Sequence, residues 1–124
     1  MKNGRTSAQT SQKRRQEPSR MLSGGRYVLI TGGSGFVGAN LAHRLLSSGE
    51  RVVVYDNLSR AGVGQNYEWL LAEYGNDVAL VHADTRDADR LAEAVRGASA
   101  VFHFAAQVAV TTSLLAPRED FEIN

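Results

Sequence analysis

Cysteine is absent from the 124 residues, which removes disulfides, thiolate nucleophiles, iron–sulfur clusters and cysteine-type zinc sites from consideration. Lysine is nearly absent as well: Lys2 and Lys13 are the only two, so chemistry that needs a lysine has none to use after residue 13. No apolar run approaches the roughly 18 residues that a membrane span requires. The three histidines, His43, His82 and His103, fall in no His-x-x-x-His pattern and no cluster with ligand spacing, so no metal is expected. What is there suits one small domain: 43% of the residues are hydrophobic and 22% charged, enough apolar surface for a core and an ordinary share of charge.

The net charge of +1 conceals two different polymers. Residues 1–25 carry six basic groups against the single acid Glu17, a net of +5. The rest carries eight basic against twelve acidic groups, a net of −4. The head is rich in Ser, Thr, Gln, Arg and Gly, and its only apolar residues are Met1, Ala8, Met21 and Leu22. Such a stretch does not bury enough surface to offset its ordering entropy, so residues 1–25 are expected to be a disordered basic tail and residues 26–124 the folded domain. The tail has no aromatic residue to stack on bases, no apolar helical face and no secretory apolar segment. Neither a nucleic acid nor a membrane is expected as a partner.

From Arg26 onward, strand and helix patterns alternate. Tyr27-Val28-Leu29-Ile30 is a short apolar run without polar alternation, the mark of a strand covered on both faces. A helix follows from Phe36 to about Ser48, with Val37, Leu41 and Leu45 as its apolar stripe and Gly49 placed to end it. A second strand around Val52-Val53-Val54 closes at Asp56, and residues 57–64 read as a loop. The spacing of Tyr67, Leu70, Leu71 and Tyr74 predicts a short helix, and a third strand covers 78–82. Ala88, Leu91, Ala92 and Val95 mark another helix with Gly97 beyond its end, a fourth strand covers 100–106, and Pro117 opens a last helix. Strands joined by helical crossovers pair in parallel, and right-handed crossovers place helices on both faces. The expected fold is α/β, a Rossmann-like doubly wound parallel sheet of which this chain supplies the N-terminal half.

Gly32, Gly35 and Gly38 form Gly-x-x-Gly-x-x-Gly between the first strand and the first helix. In that context Gly32 allows a tight turn, Gly35 lets backbone approach a pyrophosphate, and Gly38 lets the helix pack closely on the sheet. The amides at the helix start, with the positive end of the dipole, then hold the phosphates. No Lys-Ser/Thr follows, so a Walker loop is excluded. Asp56 closes the second strand where an acid meets the adenosine ribose hydroxyls, which favours NAD over NADP because a carboxylate repels a 2′-phosphate. Arg60, nearby, is of the type that binds such a phosphate. Asp84 suits either a hydrogen bond to the adenine amino group, with Thr85 beside it, or a plain acid ahead of a helix. Ala105 and Ala106 end the fourth strand, where small side chains leave room for a cofactor or simply pack well.

Taken in order, Thr31-Gly32-Gly33-Ser34-Gly35-Phe36-Val37-Gly38, Asp56-Asn57-Leu58-Ser59-Arg60, Asp84-Thr85-Arg86-Asp87 and Phe102-His103-Phe104-Ala105-Ala106-Gln107 resemble the amino half of the extended short-chain dehydrogenases/reductases. These are the NAD-dependent nucleotide-sugar epimerases and dehydratases. Asn57-Leu58-Ser59-Arg60 and the stretch from Ala105 through Thr111, Thr112 and Ser113 are most similar to the branch that epimerises C2 of a CDP-sugar. The resemblance implies NAD as cofactor, held by Gly32, Gly35, Phe36, Val37, Gly38, Asp56, Asn57, Ser59, Arg60, Asp84, Thr85, Ala105, Ala106 and Gln107. It implies a nucleotide sugar as substrate, approached by Thr111, Thr112 and Ser113, and a cytoplasmic homodimer for the full-length protein. In that family a Tyr-x-x-x-Lys pair handles the proton of the sugar hydroxyl. Here Tyr27, Tyr55, Tyr67 and Tyr74 are followed four positions on by Thr31, Ser59, Leu71 and Val78, so no catalytic residue is expected within these residues. The chain is expected to be a fragment, the cofactor half of an epimerase. A 4-epimerase, a 4,6-dehydratase and a non-catalytic NAD-binding module are the alternatives.

Overall fold

The computed structural model describes residues 21–22 and 24–105. Along the chain run β1 (Tyr27–Thr31), α1 (Phe36–Ser47), β2 (Val52–Asp56), α2 (Val63–Tyr74), a 3₁₀ turn (Gly75–Asp77), β3 (Val78–His82), α3 (Ala88–Arg96) and β4 (Ala98–His103). The four strands form one sheet in the order β3-β2-β1-β4, and every pairing is parallel. Val28 lies beside Val52 and Val52 beside Val78, so the strands start in step. The chain reverses direction across the sheet between β3 and β4, the arrangement that opens a crevice at the carboxyl ends of the central strands.

Period-two alternation in the strands sorts the core into two layers. Val28, Ile30, Val52 and Val54 point to one face, where Ala39, Ala42 and Leu46 of α1 and Tyr67, Leu70 and Leu71 of α2 cover them. Tyr27, Leu29, Val53 and Tyr55 point to the other, against Ala79, Val81, Ala94 of α3 and Met21. The uninterrupted apolar runs in β1 and β2 follow from this, because both faces of these strands are out of water. The Tyr27 hydroxyl donates to the Ala94 carbonyl at 2.6 Å, so the one polar atom of that side chain is satisfied inside the layer.

The structure differs from the sequence expectations at several places. Met21 is fully buried, and the Arg51 guanidinium reaches across to the Gly24 carbonyl at 2.9 Å, so packed chain is present ahead of the expected boundary at 26. Residues 1–20 lie outside the described residues, and the expectation of a disordered tail there goes with them. The buried stripe of α1 is Gly38, Ala39, Ala42 and Leu46, one residue round from the expected Val37, Leu41 and Leu45. Small residues let that face sit close to the sheet, while Leu41 and Leu45 pack at its flanks. α2 begins at Val63, inside the expected loop, because its first turn faces the carboxyl rim of the sheet and carries no core periodicity. β4 ends at His103 rather than 106, and it is exposed from Ser99 onward; it is an edge strand paired to β1 alone among the described residues. The expected helix from Pro117 lies outside the described residues.

Candidate functional site

At the end of β1 the backbone turns at Gly32, whose φ of +68° lies in the left-handed region that favours glycine. The Gly32 N–H donates to the Tyr55 carbonyl at 2.8 Å, which ties the turn to the end of β2. The three glycines then separate by cause. A Cβ on Gly32 would stand 2.8 Å from the Ala105 nitrogen and from the Phe104 carbonyl carbon. One on Gly38 would run into the Gly32 carbonyl oxygen. One on Gly35 would meet nothing nearer than that same oxygen at 3.4 Å, an ordinary contact. The fold therefore requires Gly32 and Gly38, whereas nothing among the described residues forbids a side chain at Gly35.

α1 starts directly from this elbow, with Gly35 in the N-cap position, no side-chain cap and no acidic residue in the first turn. The first amides of a helix have no intrahelical acceptor, so Phe36 and Val37 present N–H groups at an uncompensated positive dipole end. Both side chains are exposed, Phe36 by 82% and Val37 by 57%.

Asp56 stands opposite. Its Oδ2 accepts from the Ser34 N–H at 3.0 Å and its Oδ1 from the Leu58 N–H at 2.8 Å. Leu58 has a φ of +56°, a conformation that a non-glycine residue adopts only with such local support. Each carboxylate oxygen carries two acceptor sites, so after these bonds Asp56 retains one on each oxygen for a pair of hydroxyls. Beyond it, Asn57 accepts from the Ser59 N–H at 3.1 Å, which shapes the loop ahead of α2.

Asp84 is fastened more tightly. Its Oδ1 accepts from the Arg86 N–H at 2.9 Å and from Arg86 Nε at 3.0 Å. Its Oδ2 takes Arg86 Nη2 at 2.9 Å and, more weakly, Asn57 Nδ2 at 3.4 Å. These bonds to Arg86 hold the Asp84 carboxyl at about 2, against an ordinary 3.8. The Tyr55 hydroxyl donates to the Asp84 carbonyl at 2.9 Å, so the loop after β3 is anchored to β2 as well. Burial pushes the Tyr55 phenol above its usual value, with the nearby Asp87 carboxylate adding to the effect.

On the other side of the elbow, the Thr31 hydroxyl meets His103 Nδ1 at 2.6 Å and accepts from the Phe104 and Ala105 amides at 3.1 and 3.3 Å. It thereby holds the chain leaving β4 against the glycine turn.

These parts enclose a cavity of ≈ 590 Å³ at the carboxyl rim of the sheet. Of the residues expected from sequence, Gly32, Gly35, Phe36, Val37 and Gly38 of the elbow line it, as do Asp56, Asn57, Ser59 and Arg60. Asp84, Thr85 and Ala105 are part of the lining too. Ala106, Gln107, Thr111, Thr112 and Ser113 lie outside the described residues. Sequence reasoning missed Tyr55, Val63, Ala83, Arg86 and Phe104, which also line the cavity. Arg86 had a signal, since it stands two residues after an acid at a strand end and is placed to pair with it. Val63 had none. Among the described residues no group of His, Asp or Glu is arranged to hold a metal ion, and no helix is long and apolar enough to cross a membrane.

The family model described as GDP-mannose 4,6 dehydratase matches residues 29–124. CDP-paratose 2-epimerase of Salmonella typhi is 46% identical over 99 residues, which cover 78% of this chain and 29% of that protein. A UDP-glucose-4-epimerase from Stenotrophomonas maltophila, solved with bound NAD and formylated UDP-arabinopyranose, superposes with a TM-score of 0.69 at 33% identity, over 79% of this chain and 30% of that one. The UDP-glucose 4-epimerase of Thermus thermophilus, solved as a complex with NAD, gives 0.64 at 36% identity, over 79% and 29%. The chain thus spans about 29% of the length of the first of these relatives.

Proposed function

Since the chain belongs to the GDP-mannose 4,6 dehydratase family, we propose that it is the NAD-binding part of a nucleotide-sugar epimerase. The observation that carries the reading is the continuous cavity joining the bare elbow of Gly32, Gly35 and Gly38 to Asp56 and to the Asp84 loop. The amides of Phe36 and Val37 are the groups for the pyrophosphate, and Gly35 is free of a side chain where that group must come close to backbone. The open acceptor sites of Asp56 match the two ribose hydroxyls. Asp84 has its carboxylate largely taken by Arg86, so the adenine end is bounded by that ion pair together with Thr85. Bound NAD would supply a reversible hydride acceptor for a carbon of the sugar. The residues of this chain bind and orient, and none of them is assigned a proton transfer.

Within the family, the likeness to CDP-paratose 2-epimerase in Asn57-Leu58-Ser59-Arg60 and from Ala105 to Ser113 supports a CDP-sugar and its C2 as the site of reaction. A UDP-sugar 4-epimerase is the second reading, favoured by the likeness to structures of that activity. The full-length protein is a cytoplasmic homodimer in this proposal, and its partner molecule is the nucleotide sugar.

Calorimetric titration of the chain with NAD and NADP tests the cofactor reading. NAD binds and NADP binds more weakly, because the Asp56 carboxylate repels a 2′-phosphate. Absence of NAD binding overturns the proposal, and a preference for NADP transfers the ribose site from Asp56 to Arg60. For the substrate, the longest reading frame is offered CDP-paratose and UDP-glucose in parallel; epimerisation of the CDP-sugar alone supports the first reading.

A further inference from the structure

The glycine elbow is held from behind by a residue that no motif contains. Gly32-Gly33-Ser34-Gly35 is a β-turn closed by the Gly35 N–H donating to the Gly32 carbonyl at 3.1 Å. Its central peptide is the one between Gly33 and Ser34, and the N–H of that peptide is fixed by Asp56 at 3.0 Å. The next peptide, between Ser34 and Gly35, has its N–H on Gly32 and its carbonyl on Asn66 Nδ2 at 2.7 Å. Asn66 lies in the first turns of α2, the part of that helix that carries no core periodicity, and neither Asn66 nor Ser34 is among the residues lining the cavity. The Ser34 side chain is fully buried and its hydroxyl has no hydrogen-bond partner among the described residues, so it is the backbone of this segment, not its side chain, that carries the polar ties.

We infer that Asn66 is a positioning residue for the anion-binding elbow: by donating to the Ser34 carbonyl, it holds the peptide that leads into the first amides of α1. That peptide has its N–H on the Gly32 carbonyl and its own carbonyl on Asn66, so two bonds fix it from opposite sides. A peptide with glycine on its far side rotates at little steric cost. Without Asn66 it is held through its N–H alone, and any rotation moves the Phe36 and Val37 amides that follow it off the place where a phosphate is to sit. The same bond couples α2, and with it the loop from Asn57 to Gly62, to the start of α1.

The inference rests on the dinucleotide reading of the cavity, so the experiment separates the two. Asn66→Asp keeps the shape of the side chain and replaces the donor with an acceptor that repels the Ser34 carbonyl; Asn66→Ala removes the donor alone. ADP-ribose and adenosine are titrated into the full chain and both variants, with thermal unfolding followed alongside. Expected is a loss of about tenfold in ADP-ribose affinity for Asn66→Ala and more for Asn66→Asp, with adenosine, which has no phosphate, binding as it does to the unaltered chain. Asn66→Gln, which restores a donor, recovers part of the loss. If the unaltered chain binds ADP-ribose and Asn66→Asp binds it equally well, Asn66 has no positioning role. Equal losses for ADP-ribose and adenosine also overturn the inference, since they reduce Asn66 to general support of the fold. If the unaltered chain binds neither, the dinucleotide reading itself is wrong, and this inference falls with it.

Discussion

Gly35 and Gly38 stand three residues apart and answer to different demands. At Gly38 the first atom of any side chain collides with the Gly32 carbonyl, and backbone does not yield to it as a side-chain tip would. Gly38→Ala is expected to destabilise the chain by about 1–3 kcal/mol, as overpacking does, seen as a lower midpoint in urea. Gly35→Ala is expected to leave that midpoint within about 0.5 kcal/mol while weakening NAD binding, because its methyl enters space that only a ligand fills. Equal destabilisation by both would remove the distinction. The sequence pattern alone placed all three glycines together. Which of them the fold itself requires depends on how close distant backbone comes: a Cβ on Gly32 is barred by Phe104 and Ala105, which are more than 60 positions away in the chain. Asp56 was legible from its place at a strand end, but its bond to the Ser34 amide was not, since nothing local links residues 22 positions apart.

Among the elements, the strands were the most legible, because a run such as Val52-Val53-Val54 has no stable place except between two layers. Helix boundaries and faces were less so. α3 is a short helix that presents few apolar groups to the core, burying Ala94 fully and Leu91 in part, so its end structure matters more than usual. Asp87 occupies the N-cap and its side chain accepts from the Arg90 N–H at 3.2 Å. Asp87→Ala is expected to cost about 1 kcal/mol, read as a lower midpoint of unfolding, with Asp87→Asn costing only a few tenths because the acceptor is kept. No difference between the two variants would show the cap to be unused. The sequence placed this helix by the spacing of Ala88, Leu91, Ala92 and Val95, yet Ala88, Ala92 and Val95 are exposed. Periodicity finds a helix, whereas its rotation about its axis is set by the layer it meets.

For the molecule as a whole, the pH dependence of stability carries the imprint of Asp84. Its carboxyl lies at about 2 in the folded chain because Arg86 bonds to it. A group with a depressed folded value contributes stability that is present above the unfolded value and disappears as pH falls through the folded one. The contribution of Asp84 is therefore complete above about pH 4 and fades toward pH 2. Arg86→Ala is expected to flatten the acid limb of stability in that window, and carboxyl NMR would show Asp84 titrating higher than in the unaltered chain, part of the lowering staying with the backbone N–H of residue 86 and with Asn57. An unchanged Asp84 titration would mean that the ion pair is not formed in solution. The two groups stand two residues apart in one loop, so their pairing had a local signal in the sequence, whereas its effect on the Asp84 carboxyl needed the geometry of the bonds.

The order of motifs and the apolar runs by themselves determined that this protein is a parallel α/β sheet with a glycine elbow after its first strand and an acid after its second. Those are local facts: they depend on which residues follow one another and on what a strand or a turn will tolerate. The tertiary structure alone decided that the Ser34 amide would rest on Asp56 and its carbonyl on Asn66, that Met21 would complete a core layer, and that α1 would bury its small residues. Each of these joins residues distant in the chain, and the energy that selects them comes from burial and from satisfying buried polar groups, which no stretch of sequence possesses until the layers have come together.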